Sequence, residues 1–153
     1  PPAFRTCRAI KRNPDTTDLD PGGNEEHHMV TLPASCHCGA VELSADFPDG
    51  LSSAARCDCS FCLRRGAAAV TALTASLQIN KGRDNLSCYS WGTHTARHYF
   101  CKTCGIYTHH QRRSDPTQSG VNLGCIKGGN PRHHSETYGE IPWNDGVNHP
   151  SDQ

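Results

Sequence analysis

Seven of the ten cysteines in this chain lie in three short clusters, and their spacing is typical of metal ligands. The first cluster is a C-x-C pair, Cys36 and Cys38, and the last is a C-x-x-C pair, Cys101 and Cys104. Between them lies a C-x-C-x-x-C triplet, formed by Cys57, Cys59 and Cys62. Cysteines one or two residues apart on a turn can direct their sulfurs at one metal ion, whereas apolar packing gives no reason to cluster them. The clusters therefore predict metal sites, with two zinc ions per chain.

The two pairs lie far apart in the sequence, so that one metal bound by both would close a long loop. Four thiolates form a complete tetrahedron around zinc, which is the usual structural site. A glycine follows each pair, where it lets the backbone turn tightly and direct amide N–H groups at the sulfurs. We therefore predict a structural zinc on Cys36, Cys38, Cys101 and Cys104.

The triplet offers three thiolates and leaves the fourth position of a tetrahedral zinc open, as in catalytic sites. Zinc in such a site can take up a thiol and lower its pKa, or polarise a carbonyl oxygen. We interpret Cys57, Cys59 and Cys62 as the ligands of this second, catalytic zinc. Alternatively, a fourth protein ligand closes the site. The candidates for that ligand are Cys88, Cys125, His109 and His110.

The composition indicates one small domain with a modest core. The chain has 153 residues, of which 35% are hydrophobic, and the mean hydropathy is −0.65. Its 14 glycines and 10 prolines indicate many turns and few long helices. Because metal-binding energy becomes folding energy in such a chain, we expect zinc to be needed for the fold as well as for any activity.

Charge and hydropathy argue against several classes of partner. The formal net charge is +0, and no long run of lysine and arginine suggests a phosphate-binding surface, so nucleic acid is not expected. No apolar stretch is long enough to predict a membrane span or a secretory signal. Because the cysteine spacings also suit metal binding in a reducing compartment better than a disulfide framework, we predict a cytoplasmic protein.

The apolar pattern divides the chain into three parts. Residues 1–28 are rich in Pro, Asp, Asn and Arg, and we interpret them as a flexible leader before a candidate start at Met29. Residues 29–130 predict a mainly β zinc-binding domain without a long helix, and residues 131–153 a C-terminal tail that wraps it. The predicted strands cover residues 40–46, 67–74, 77–80, 86–91, 96–101, 106–110 and 121–126.

The residues around the cysteines resemble those of one known family. The segments SCHCGAV, RCDCSFCLRRGA and YFCKTCG, at residues 35–41, 56–67 and 99–105, are similar in order and spacing to the glutathione-dependent formaldehyde-activating (Gfa, Gfa/CENP-V) family. The resemblance covers roughly residues 31–127. It implies an Mss4-like fold of small curved antiparallel sheets stapled by zinc. It also implies that the zinc on the four paired cysteines is structural and that the second zinc is more labile.

The resemblance further implies an activity. The family's founding reaction condenses glutathione with formaldehyde to S-hydroxymethylglutathione and is classed with the carbon–sulfur lyases. The implied partners are a small-molecule thiol such as glutathione and an aldehyde. The alternative is a non-catalytic zinc-binding module of Mss4-like fold that binds a protein partner.

The carboxylates of glutathione would need cationic partners. Arg64 and Arg65 directly follow the triplet and are the predicted substrate-binding residues. The alternative is that they offset the thiolate charge or lie in solvent.

Among the ring side chains, Tyr89 and Trp91 are predicted to pack in the core, and the alternative is that they form a wall of a substrate pocket. His98 is predicted to lie at the surface, and the alternative is that it orients a thiolate of the site. Surface positions are also predicted for His109, His110 and His149, although one of them would suit a general acid.

Overall fold

The computed structural model describes residues 29–134, which are mainly β. Within that range the strands are β1 (Val30–Ser35), β2 (Glu42–Phe47), β3 (Ala69–Leu73), β4 (Gln78–Lys81), β5 (Leu86–Tyr89), β6 (Arg97–Cys101), β7 (Tyr107–Gln111) and β8 (Gln118–Asn122). One α-helix, α1, spans Ser60–Arg65, and 3-10 turns span Arg83–Asn85, Leu123–Cys125 and Pro131–His133. The predicted leader and residues 135–153 of the predicted tail lie outside the described residues.

The first sheet is antiparallel and has the order β1-β2-β4. β1 pairs with β2 along its whole length, from Val30 opposite Phe47 to Ser35 opposite Glu42. The sequence analysis did not predict β1, which contains a proline. Pro33 is tolerated because β1 is an edge strand, where a missing N–H breaks no second ladder. This strand leads directly into the first cysteine pair.

The second sheet is antiparallel and has the order β3-β8-β7-β6-β5. It places β6 between β5 and β7, so that the strand that ends at Cys101 is paired on both sides. The prediction of a strand over residues 121–126 was wrong in its bounds, because β8 ends at Asn122. The side-chain oxygen of Asn122 accepts from the N–H of Gly124 at 3.1 Å and begins a 3-10 turn there.

The hydrophobic core lies between the two sheets. Alternate residues of β2 are buried, which is the period of two expected of a strand with one face on a core. Leu43 and Phe47 of β2 pack in one cluster with Val70, Val121 and Leu123. The predicted fold class, mainly β with antiparallel sheets and almost no helix, is confirmed.

The short helix α1 was not predicted, and it positions the cysteine triplet. Cys59 is its N-cap residue, and its Sγ accepts from the N–H of Cys62 at 3.4 Å. Gly66 ends the helix in a left-handed conformation, with φ of 67°, and its N–H donates to the Cys62 carbonyl oxygen at 2.9 Å.

Of residues 29–134, none belongs to a helix long and apolar enough to cross a membrane.

Candidate functional site

The two cysteine pairs come together beside the second sheet. Cys36 follows β1 and Cys101 ends β6, and the four sulfurs of Cys36, Cys38, Cys101 and Cys104 all lie within 4.8 Å of one another. Each pair is on a tight turn, in which the N–H of Gly39 donates to the Cys36 carbonyl oxygen and that of Gly105 to the Cys101 carbonyl oxygen. Gly39 and Gly105 have φ of 70° and 73°, which other residues rarely adopt. The predicted set of four is therefore assembled in the structure.

The spacing of these sulfurs suits a tetrahedral metal. Cys36 Sγ and Cys38 Sγ are 3.6 Å apart, and Cys38 Sγ and Cys101 Sγ are 3.7 Å apart. A Zn–S bond of about 2.3 Å places the sulfurs of a tetrahedron about 3.8 Å apart, whereas a disulfide bond is about 2.0 Å. All seven cluster cysteines are free thiols. The set fits a metal ion and not a disulfide.

Two N–H donors outside the pairs support these sulfurs. The N–H of Val41 donates to Cys36 Sγ at 3.3 Å, and the Asn85 side chain donates to Cys101 Sγ at 3.2 Å. The amide N–H groups of Cys38 and Ile106 lower the pKa of the Cys104 thiol to about 6. Asn85 was missed by the sequence analysis, since it lies far from either pair along the chain. These donors favour the thiolate forms that a metal requires.

The triplet forms a second set of three sulfurs, from Cys57, Cys59 and Cys62, that lie within 4.8 Å of one another. Cys57 is exposed, Cys59 is half-buried and Cys62 is buried, so the set runs from solvent into the protein. Among residues 29–134, no histidine, fourth cysteine or carboxylate joins the three. The four candidate closing ligands, Cys88, Cys125, His109 and His110, do not belong to this group.

Arg65 joins the triplet to the sheet. Its Nη2 donates to Cys62 Sγ at 3.3 Å, and its Nη1 donates to Nδ1 of His98 at 3.2 Å. The guanidinium carbon lies 3.6 Å from the centre of the Tyr107 ring and 5.5 Å from that of Phe61. Arg65 is therefore placed to offset the charge of a Cys62 thiolate, which was the alternative to substrate binding. Arg64 instead is exposed, and it donates to the Ser60 carbonyl oxygen of its own helix.

The pKa values of the triplet thiols diverge. The Cys62 N–H lowers the pKa of the Cys59 thiol. Burial raises the pKa of the Cys62 thiol to about 12, and the charge of Arg65 opposes that rise. A bound cation would offset this cost of burying the Cys62 thiolate.

The histidines of the late strands lie in ring contacts, with His98 and His109 buried and His110 half-buried, so the prediction that they lie at the surface was wrong. His98 is only 6% exposed, and its ring is stacked 5.1 Å from that of His110. His110 Nδ1 lies 2.5 Å from the Tyr107 hydroxyl, and His109 stacks on Tyr99 at 4.5 Å. Burial lowers the pKa of His98 to about 4 and those of His109 and His110 to about 3, so all three are neutral at pH 7.

A cleft of about 370 Å³ lies between α1 and the turn of the second cysteine pair. Its lining residues are Phe61, Arg65, Tyr89, Phe100, Gly105 and Tyr107. Phe61 and Arg65 are neighbours of Cys62 on α1, and Gly105 follows Cys104, so the cleft is lined by residues that adjoin both sulfur sets. Tyr89 is 41% exposed and Trp91 is 37% exposed, so the prediction that both pack in the core was wrong. Tyr89 stacks on Phe61 at 5.2 Å.

Comparisons with known proteins agree with these features. The family described as "Glutathione-dependent formaldehyde-activating enzyme" matches residues 31–141. The fold is similar to the crystal structure of a Rhodobacter sphaeroides protein, with a TM-score of 0.65 and 53% sequence identity over 73% of this chain and 99% of that one. The family match covers more than half of the chain and includes all three cysteine clusters. The chain therefore belongs to the glutathione-dependent formaldehyde-activating family.

Proposed function

We propose that this protein is a zinc-dependent carbon–sulfur lyase that acts on the adduct of a thiol and formaldehyde, such as S-hydroxymethylglutathione. One observation carries the proposal. Three thiols lie within 4.8 Å of one another, at the edge of a cleft, and no fourth metal-ligating side chain of residues 29–134 joins them. Such a set leaves room at a tetrahedral metal for a substrate atom. The family supports a role in formaldehyde activation.

The two sulfur sets take different roles in this proposal. The set of four, Cys36, Cys38, Cys101 and Cys104, would hold a structural zinc, because its ligands already complete a tetrahedron. The triplet of Cys57, Cys59 and Cys62 would hold the catalytic zinc. When bound, that zinc would supply positive charge that lowers the pKa of a neighbouring thiol.

The reaction joins a thiol to an aldehyde and is balanced without a redox partner. The thiol sulfur forms a bond to the carbonyl carbon of formaldehyde, and the thiol proton ends on the oxygen, which becomes a hydroxyl group. In the reverse direction the C–S bond breaks and the hydroxyl proton returns to sulfur. The protein would contribute mainly by holding the two reactants in place and by favouring the thiolate.

The chain's own residues can guide the substrate to this place. Exposed Cys57 marks the solvent side of the triplet. Arg64 presents an exposed guanidinium two residues after Cys62, where it could attract a carboxylate of glutathione. Arg65 has both terminal nitrogens engaged by Cys62 and His98, so we propose that it positions the triplet and the substrate cleft. A substrate-binding role for either arginine remains a prediction.

Exchange spectroscopy by NMR tests the proposal. The rate of interconversion between glutathione plus formaldehyde and S-hydroxymethylglutathione is measured at equilibrium, with zinc-loaded wild type, with Cys59→Ala and with no protein. We expect the wild type alone to increase the exchange rate, because Cys59→Ala removes a ligand of the triplet. Equal rates in all three samples would contradict this reaction and favour the alternative of a zinc module that binds a protein partner.

A further inference from the structure

The cleft beside the triplet has a composition that formaldehyde and glutathione do not explain. Four of its six lining residues are aromatic, namely Phe61, Tyr89, Phe100 and Tyr107. Formaldehyde adds one carbon and one oxygen atom to a thiol, whereas the cleft volume of about 370 Å³ is in the range of sites for much larger ligands. The hydroxymethyl group that formaldehyde adds to the sulfur therefore does not by itself fill the cleft.

The charges of glutathione also do not suit the cleft. Glutathione carries two carboxylates and an ammonium group, and Arg65 is the one charged residue among the lining residues. Its Nη1 and Nη2 already donate to His98 and Cys62, and its face is against the Tyr107 ring. A carboxylate in the cleft would compete with Cys62 and His98 for the Arg65 N–H groups, and it would also lose its favourable hydration. The charged ends of glutathione are better placed in solvent, near exposed Arg64.

The aromatic walls continue to the protein surface. Phe61, beside the triplet, stacks on Tyr89, which is 41% exposed at the end of β5. A large exposed aromatic ring next to a cleft is typical of a binding surface for an apolar group. Tyr89 and Arg65 both line the cleft, and Nη2 of Arg65 is 3.3 Å from the Cys62 sulfur. An apolar group in the cleft would thus be close to an atom held at the triplet.

From these contacts we infer that the cleft binds an aryl or alkyl group attached to the carbon that bears the substrate sulfur. This inference rests on the proposed function and names its substrate class: thiol adducts with an apolar substituent, delivered by the aldehyde or by the thiol. An aldehyde R–CHO and a thiol R′–SH add to give R–CH(OH)–S–R′, in which the new bond joins sulfur to the carbonyl carbon and the thiol proton ends on the oxygen, as with formaldehyde. The substituent R lies against Phe61 and Tyr89.

Binding of unreactive thioethers tests the cleft without any turnover. Dissociation constants of S-methylglutathione and S-benzylglutathione are measured by calorimetry with zinc-loaded wild type. These two probes share the thiol and differ only in the group on sulfur. We expect S-benzylglutathione to bind at least about 10-fold more tightly, because its ring is removed from water in the cleft. Equal affinities would overturn the inference.

A matched pair of variants locates the effect. Tyr89→Ala shortens the cleft wall, whereas Trp91→Ala removes an equally exposed ring that does not line the cleft. We expect Tyr89→Ala to reduce the benzyl-to-methyl affinity ratio at least about threefold and Trp91→Ala to leave it unchanged. Zinc content is measured in both variants. An equal reduction in both, with zinc retained, would contradict the assignment to this cleft.

A third probe separates the source of the apolar group. Benzyl methyl sulfide carries the benzyl group without glutathione. Binding as tight as that of S-benzylglutathione would support the cleft and assign the group to an apolar thiol, while weaker binding would support the cleft with glutathione as the thiol. A wild type that prefers benzyl but fails the formaldehyde exchange assay would overturn the proposed reaction and leave the cleft inference standing. A wild type that increases the exchange rate but binds both thioethers equally would support the proposed reaction and overturn the inference about the cleft.

Discussion

Arg65 donates a hydrogen bond from Nη2 to Cys62 Sγ at 3.3 Å, and the same guanidinium is held by Nη1 on His98 and by the face of the Tyr107 ring. The buried thiol of the triplet is thereby tied to β6 and β7. Such partners of metal ligands orient the ligand and tune the charge at the metal. We therefore expect Arg65 to hold the Cys62 sulfur in place.

Arg65→Met should weaken metal binding at the triplet. The change keeps much of the side-chain length but removes the donor to Cys62 Sγ and the positive charge, so we expect zinc affinity there to fall about 10- to 100-fold. Competition with a chelator measures the affinity, and the set of four cysteines serves as the internal reference. Arg64→Met is the matched control, because Arg64 is exposed and contacts only its own helix among the bonds described above. Similar losses in both variants would show that the Arg65 contact has no special role.

The two sulfur sets should differ in what their loss does to folding. Cys36→Ala removes a buried ligand of the set that joins the end of β1 to β6, so we expect a loss of several kcal/mol and little soluble protein. Cys59→Ala should remain soluble and lose one zinc. Cys125→Ala is the control, since Cys125 is buried but belongs to neither set, and it should retain both metals. Soluble yield and zinc content per chain are measured together. Insoluble Cys59→Ala would refute this division of roles.

Asn85→Asp should destabilise the set of four cysteines. The Asn85 amide donates to Cys101 Sγ at 3.2 Å and to Thr103 Oγ1 at 3.1 Å, and a carboxylate would instead place negative charge beside thiolates. We expect the free energy of unfolding to fall by about 2 kcal/mol. Asn80→Asp is the control, because Asn80 is exposed and its amide donates to Ser44 Oγ within the first sheet, away from the cysteine pairs. For this variant we expect the free energy of unfolding to change by no more than about 0.5 kcal/mol. Urea denaturation of zinc-loaded protein compares the two, and equal effects would contradict the role given to Asn85.

Acid should destabilise the protein through its buried histidines. Burial, and secondarily the charge of Arg83, lowers the pKa of His109 to about 3, whereas an unfolded histidine takes up a proton near pH 6.5. The unfolded state therefore binds more protons below pH 6.5, and the stability that neutral His109 contributes above that pH is lost as the pH falls toward 3.

His109→Phe removes this titration. Between pH 7.5 and pH 5.5 we expect the free energy of unfolding of the wild type to fall by about 1 kcal/mol more than that of the variant. Urea denaturation at both pH values measures the difference. Loss of zinc in acid affects both proteins and cancels in the comparison. Identical falls in the two proteins would mean that His109 is protonated in the folded state.

The cysteine sets could be predicted from the sequence because their geometry is largely local. Cys57 and Cys59 directly precede helix α1 and Cys62 lies within it, and each cysteine pair lies on a single glycine turn. The pairing of the two distant pairs was also predicted, since four thiolates complete a tetrahedron. The alternating apolar pattern similarly predicted most strands, because alternation depends on neighbours two residues apart.

The surroundings of the sites depended on contacts between residues that are distant in sequence. The direction of Arg65 is decided by Tyr107, the first residue of β7, and by His98 of β6. The burial of His98 follows from the pairing of β6 with β7, where it lies opposite His110. No local pattern distinguishes a buried histidine of this kind from an exposed one.

Residue types at short spacings were enough to predict the two cysteine sets, the family and the fold class. The packing of distant elements turned Arg65 inward and left Arg64 in solvent, and it brought Tyr89 and Phe61 to one aromatic cleft. These features follow from the contacts of helix α1 with β5 to β7, because such contacts decide which side chains lose water and which donors find acceptors.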